Sequence, residues 1–169
     1  YDSIANIFLG LTDFGTLNAT QIANLRDEIS EQTASGATNI RDGLMVAFSQ
    51  LTSVAPAASV QAALLLTDGA HNTPAGSSMQ DIVPAYQAAN TNVYTLGIGT
   101  GGEMDLPGLN TLATSTGGIA LTSGDGGIAL DIQNRMIEIN NLIRGGLIAS
   151  IGEVMPENLK EDINFEKET

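Results

Sequence analysis

The chain has 169 residues, and six basic against nineteen acidic side chains give it a formal charge of −13. That balance disfavours nucleic acid as a partner, because phosphate binding needs clustered Lys and Arg; cations or basic surfaces suit it better. Aromatic residues are 4% with no Trp, there is no Cys, and the apolar fraction is 43%, so disulfides are excluded and a single domain's core must be packed from Ala, Leu, Ile and Val.

No apolar stretch approaches the roughly 20 residues of a membrane span. The first residues read as the interior of a domain rather than as a leader. Tyr1 to Leu11 reads as a strand, and Thr12-Asp13-Phe14-Gly15 as a turn. Ile22, Leu25 and Ile29 recur at helical spacing, with Asn18 or Thr20 as cap, and predict an amphipathic helix of three turns. After the loop at 33–39, a second helix carries Ile40, Leu44, Ala47, Phe48 and Leu51 on one face, with Thr38 or Asn39 as its N-cap.

Pro56 lies in a short loop. The apolar run Ala62 to Leu66 then shows no alternation, which is how a parallel strand buried on both faces looks. It stops at Thr67-Asp68-Gly69. In an open α/β sheet, ligands sit beyond the carboxyl ends of the strands, so a carboxylate at that point is well placed to hold something. Asp68 equally suits a turn or a helix cap.

Residues 71–79 form a polar loop around Pro74 and Gly76. A helix follows to about Asn90 with Ile82, Val83, Tyr86 and Ala89 inward; Pro84 places its start near Val83. Asn92 to Ile98 is a strand. A loop with Gly97, Gly99, Gly101 and Gly102 leads to a short helix with Leu109, Leu112 and Ala113, closed by Gly117-Gly118. Ile119 to Leu121 is a short strand. Ile128, Ile132, Met136, Ile139 and Ile143 then define one apolar helical stripe ended by Gly145-Gly146. Residues 1–146 are expected to form one domain. Residues 147–169, with a possible strand at Leu147–Ile151 and an acidic segment around Pro156, are expected to be a linker, a tail or the start of a following segment. Alternating strands and helices predict an α/β fold, a mostly parallel sheet with helices on both faces.

Three segments bear on function: Gly36-Ala37-Thr38-Asn39-Ile40 opening a helix, Leu64-Leu65-Leu66-Thr67-Asp68-Gly69, and Asn92-Val93-Tyr94-Thr95-Leu96-Gly97-Ile98-Gly99. With Leu109 to Gly118 following in order, the chain from near Tyr1 to about Ile143 resembles a von Willebrand factor type A domain. The resemblance implies a Rossmann-like fold and a metal-ion-dependent adhesion site, where a divalent cation takes oxygen ligands from an Asp-x-Ser-x-Ser motif, a Thr and the Asp of a Thr-Asp-Gly turn. Thr38 and Asp68 match the last two. The implied cofactor is Mg²⁺, or Mn²⁺ or Ca²⁺, which hard oxygen donors suit. The implied partner is a protein offering an acidic side chain, with Gly69, His71, Asn72, Gly99 and Gly101 as a rim. The setting implied is extracellular or cell-surface, and the role is adhesion rather than catalysis.

Asp-x-Ser-x-Ser occurs nowhere in the chain, and Asp2-Ser3-Ile4-Ala5-Asn6 lacks its second serine. The family's first strand and helix are therefore expected upstream of Tyr1, and the metal assignment is conditional on them.

Two alternatives compete with adhesion. One is a regulatory or scaffolding domain of a multidomain enzyme. The other is a nucleotide-binding enzyme, because Gly97-Ile98-Gly99-Thr100-Gly101-Gly102 satisfies G-x-G-x-x-G directly after a strand. Against it, Glu103, Asp105 and Pro107 put acid where a pyrophosphate would sit, and no strand ending in an acidic residue follows about 20 residues on. His71, the only histidine, has no nucleophile arrangement beside it and reads as a loop residue. Asp125 and Asp131 read as solvated surface.

Overall fold

A computed structural model describes residues 5, 7, 10, 14–31, 37–54, 60–99, 102, 104–123 and 129–154. The expected strand at Tyr1–Leu11, apart from residues 5, 7 and 10, and the Asp125 loop lie outside the described residues. The first elements are a 3₁₀ turn, Phe14–Thr16, and helices α1 (Ala19–Ser30) and α2 (Ile40–Val54). Strand β1 (Ala62–Thr67), a 3₁₀ turn (Met79–Ile82), α3 (Val83–Ala88), β2 (Asn92–Ile98), α4 (Leu106–Ser115), β3 (Ala120–Ser123) and α5 (Ala129–Val154) follow.

The three strands form one parallel sheet in the order β1-β2-β3, with Thr67 opposite Gly97 and Thr95 opposite Ala120. Alternation along the strands divides the core in two. Ala63, Leu65 and Val93 face one side and pack with Ile40 and Leu44 of α2, Ile82, Tyr86 of α3, and Leu109 and Leu112 of α4. Tyr94 and Leu96 face the other, against Ile139 of α5, with Ile132, Ile143 and the half-buried Leu64 and Leu66 around them. The sheet is thus covered on both faces, as the alternating pattern predicts.

β2 rather than β1 is the strand buried on both faces: Val93 through Gly97 are all buried, whereas Ala62, Leu64 and Leu66 are half-buried. Among the described residues β1 pairs with β2 alone. β2 accepts close neighbours because Gly97 leaves room for them; a Cβ there would stand 3.0 Å from Met104 Sδ. At the other end, Gly118 packs directly on the Val93 carbonyl, in space a Cβ would occupy. Thr116, buried, accepts the Val93 N–H at 3.0 Å through its hydroxyl oxygen. That bond satisfies a donor the sheet ladder leaves over.

Local chemistry sets the helix ends. Asn18 and Gln21 exchange side-chain and backbone hydrogen bonds at 3.0 and 2.9 Å, a reciprocal cap at the start of α1. Ser78 and Asp81 form a capping box on the 3₁₀ turn before α3, whose first turn holds Pro84 as expected.

Further expectations are corrected. The Gly145-Gly146 pair does not end α5, which continues helically to Val154, so no strand forms at Leu147–Ile151. Two helix-interior glycines cost about 1 kcal/mol each, a penalty that flanking helix formers such as Leu147 and Ala149 tolerate. Met136 is not a core residue; it is 42% exposed. At 3.6 residues per turn it lies about 40° round from Ile132, outside the line through Ile132, Ile139 and Ile143 that meets the sheet. Ile22, expected on the inner face of α1, is also exposed.

Candidate functional site

The carboxyl end of β1 is built around a hydroxyl. Thr67 is 2% exposed, so its side chain must find partners. It donates to the Gly69 carbonyl at 2.9 Å and accepts the Gly69 N–H at 3.2 Å. This closes a tight turn with Asp68 at its apex. Asp68 is exposed, and its carboxylate has no hydrogen bond or ion pair among the described residues.

Across the crevice stands the start of α2. Asn39, 3% exposed, is the N-cap: its Oδ1 accepts the Asp42 N–H at 3.2 Å and its amide donates to the Asp42 carboxylate at 2.8 Å. Of the two expected caps, Asn39 does that work, and Thr38 is left with a different position. The Thr38 hydroxyl lies against Gly69, where a Cβ would sit 3.3 Å from Thr38 Oγ1. Glycine at 69 is what lets the hydroxyl approach the turn that carries Asp68.

A second contact joins the same two loops. The Thr38 N–H donates to Asn72 Oδ1 at 2.8 Å, and the Asn72 N–H donates to the Thr38 carbonyl at 3.0 Å. Thr38, Gly69 and Asn72 are therefore brought together around the Asp68 turn. His71 turns to its own loop instead. Ser77 gives its hydroxyl proton to the Pro74 carbonyl at 2.7 Å, so His71 Nε2, 2.9 Å from Ser77 Oγ, is assigned as the donor of that pair. Its buried Nδ1 has no hydrogen-bond partner among the described residues. Gly99 follows β2 at the same sheet edge with φ +112°, a conformation that requires glycine. Gly101 lies outside the described residues.

Among the described residues, the carboxylate of Asp68 and the hydroxyl of Thr38 are donors of the kind a hard cation takes. Among the described residues no group of three or more His, Cys, Asp or Glu could hold a metal. Thr38 and Asp68 are the two oxygen donors that the sequence offers at this turn, and the structure places the Thr38 hydroxyl beside Gly69, next to Asp68 in the chain. The glycine-rich loop fits a nucleotide poorly. α4 opens only at Leu106, and the Asp105 carboxylate already accepts the Gly108 N–H at 2.9 Å, filling the anion position of that helix with its own side chain. No helix among the described residues is long and apolar enough to cross a membrane. Asp131 is not simply solvated; it lies 3.9 Å from Arg135, one turn on in α5.

The roles of Thr67, as the lock on the turn, and Asn72, as the clasp on Thr38, were not readable from the sequence. Thr67 stood in the quoted motif, but its hydroxyl's burial did not. The clasp joins positions 34 apart, and no local spacing announces it.

The sequence model of the von Willebrand factor type A domain matches residues 1–135. No curated protein matches the chain. Among solved structures, the chain is similar to a von Willebrand factor type A protein from Catenulispora acidiphila, with 18% identity and a TM-score of 0.55, over 64% of this chain and 24% of that one. It is also similar to an uncharacterized membrane-spanning protein from Vibrio fischeri, with 21% identity and a TM-score of 0.43, over 71% of this chain and 65% of that one. The chain spans about a quarter of the length of the first of these, and the likeness is one of fold.

Proposed function

Because the chain belongs to the von Willebrand factor type A family, whose domains serve as protein-interaction modules, we propose that it binds an acidic protein partner through a divalent cation held by Thr38 and Asp68. Mg²⁺ is the cation that the oxygen donors suit first, with Mn²⁺ or Ca²⁺ as substitutes. The reading is of an adhesion module acting at a cell surface or outside the cell, without catalysis of its own.

The observation that carries the reading is the approach of the Thr38 hydroxyl to Gly69, in the turn with the exposed Asp68 at its apex. Asp68 supplies negative charge and Thr38 a neutral oxygen, while the cation's remaining positions go to water or further oxygen donors. The cation, when bound, supplies a point of attachment for a partner carboxylate. Gly69, Asn72 and Gly99 stand beside this pair of donors as its rim, with His71 held in the neighbouring loop.

Native mass spectrometry of the purified full-length protein in Mg²⁺, before and after a chelator, tests this. One divalent ion per chain, removed by the chelator and restored by Mg²⁺, is the expected result. A protein that takes up no ion specifically at millimolar Mg²⁺ overturns it.

A further inference from the structure

The loop after β1 is tied to the start of α2 at two points. One is the pair of hydrogen bonds between Asn72 and Thr38, at 2.8 and 3.0 Å. The other is Arg41, whose guanidinium lies 3.4 Å from the Asp81 carboxylate and 3.0 Å from that of Asp42. Between these ties, His71, Ser77 and Pro74 are bonded to one another and Ser78 is locked to Asp81. The loop is consequently a brace. Its first strut, Asn72, is the one that reaches the residue whose hydroxyl faces Gly69.

The two Asn72 bonds differ in kind. The Asn72 N–H reaches the Thr38 carbonyl whatever side chain stands at 72. The Thr38 N–H is different: it precedes the helix, lies outside the ladder of α2, and is satisfied by the Asn72 carboxamide oxygen. That side chain holds the Thr38 peptide, the backbone from which Thr38 Oγ1 projects towards Gly69.

We propose that Asn72 is a positioning residue, which holds the Thr38 hydroxyl beside the Thr67-Asp68-Gly69 turn and so preorganises the oxygen pair for a divalent cation. The inference rests on the metal-binding reading above and deepens it. Asn72 acts here through Thr38 rather than as a ligand. Partners of this kind, one step removed from the ion, typically change metal affinity by about 10–100-fold.

The test is a double-mutant cycle on the full-length protein, with Mg²⁺ and Mn²⁺ affinity read by calorimetry and the Thr38 amide read by hydrogen exchange. Asn72→Ala is expected to weaken Mg²⁺ binding about 10-fold and to speed exchange at Thr38 selectively, with the melting temperature little changed. Thr38→Val keeps the amide and removes the hydroxyl. In that background Asn72→Ala is expected to add nothing further to the loss, the non-additivity of groups acting as one unit.

Full additivity of the two losses would overturn the positioning role and make Asn72 an independent contributor. Unchanged Mg²⁺ affinity in Asn72→Ala, with the wild type binding normally, overturns it as well. If the wild type binds no ion, the metal-binding reading itself has failed; the exchange result at Thr38 then reports separately whether Asn72 holds that peptide.

Discussion

Asp68→Ala is expected to remove specific divalent-cation uptake and any cation-dependent partner binding, while leaving the fold and its melting temperature in place. The expected loss exceeds the roughly 10–100-fold typical of residues one step removed from a metal, because the substitution deletes the charged oxygen donor of the pair that Thr38 and the β1 turn offer. Stability is spared for a separate reason. Asp68 is exposed, and the turn beneath it is closed by the Thr67 hydroxyl and Gly69 rather than by its carboxylate. Exposed substitutions away from such bonds usually change stability by no more than about 0.5 kcal/mol. Calorimetric Mg²⁺ titration paired with a thermal melt separates the two effects. Retained Mg²⁺ affinity in a folded Asp68→Ala protein would sink the site; a collapse in melting temperature would mean the residue is structural.

The largest expected effect on stability is at Tyr86. Its side chain is fully buried, its ring lies 5.0 Å from that of Phe48 between centroids, and its hydroxyl donates to the Leu44 carbonyl at 2.7 Å. It joins α3 to α2, the helix that Thr38 and Asn39 lead into. Tyr86→Ala removes both packing and bond and is expected to cost about 3–5 kcal/mol, a large share of the roughly 5–15 kcal/mol that holds a domain together. Tyr86→Phe removes only the hydrogen bond and is expected to cost about 1 kcal/mol.

Burial also pushes the Tyr86 phenol well above its ordinary pKa. The unfolded chain releases that proton near its usual value of about 10, whereas the folded chain keeps it. Stability is therefore complete below that pH and falls as pH rises beyond it, since the unfolded state alone gains the ionised form. Urea unfolding between pH 8 and 11 checks this. A steeper alkaline loss in the wild type than in Tyr86→Phe is expected, and identical pH profiles would contradict it.

What was legible in the sequence follows from which signals are local. The second helix showed itself through Ile40, Leu44, Phe48 and Leu51 and a cap at its start, the strand at 62–67 through an apolar run without alternation, and that at 92–98 through β-branched and aromatic content. The crevice was legible for the same reason: Thr67-Asp68-Gly69 interrupts an apolar strand, and the carboxyl end of a parallel strand is where such folds place their ligands. The end of the last helix was not. A glycine pair is a strong stop signal in isolation, but Gly145 and Gly146 sit in a segment whose neighbours on both sides favour helix, and α5 runs through them. Met136 shows the limit of reading a stripe, since spacing assigns a side of the helix but not the width of the surface that meets the sheet.

The clasp between Thr38 and Asn72 shows a different limit. Asparagine in a polar loop predicts a turn, and nothing in the spacing says that its carboxamide reaches a residue ahead of another helix. Such bonds appear only when β1 and α2 are set side by side. The same juxtaposition settled the N-cap: once Asn39 is seen bonded to Asp42, the Thr38 hydroxyl is released from that duty.

The measurement that bears most directly on the proposed site is paramagnetic broadening by Mn²⁺ in amide NMR spectra of the full-length protein. At substoichiometric Mn²⁺, the signals of Thr38, Asn39, Asp68, Gly69 and Asn72 are predicted to broaden first, and excess Mg²⁺ to restore them. Broadening centred on another acidic region, such as Asp131 to Glu138 of α5, or spread evenly over the acidic surface, would contradict a cation held between the start of α2 and the turn after β1.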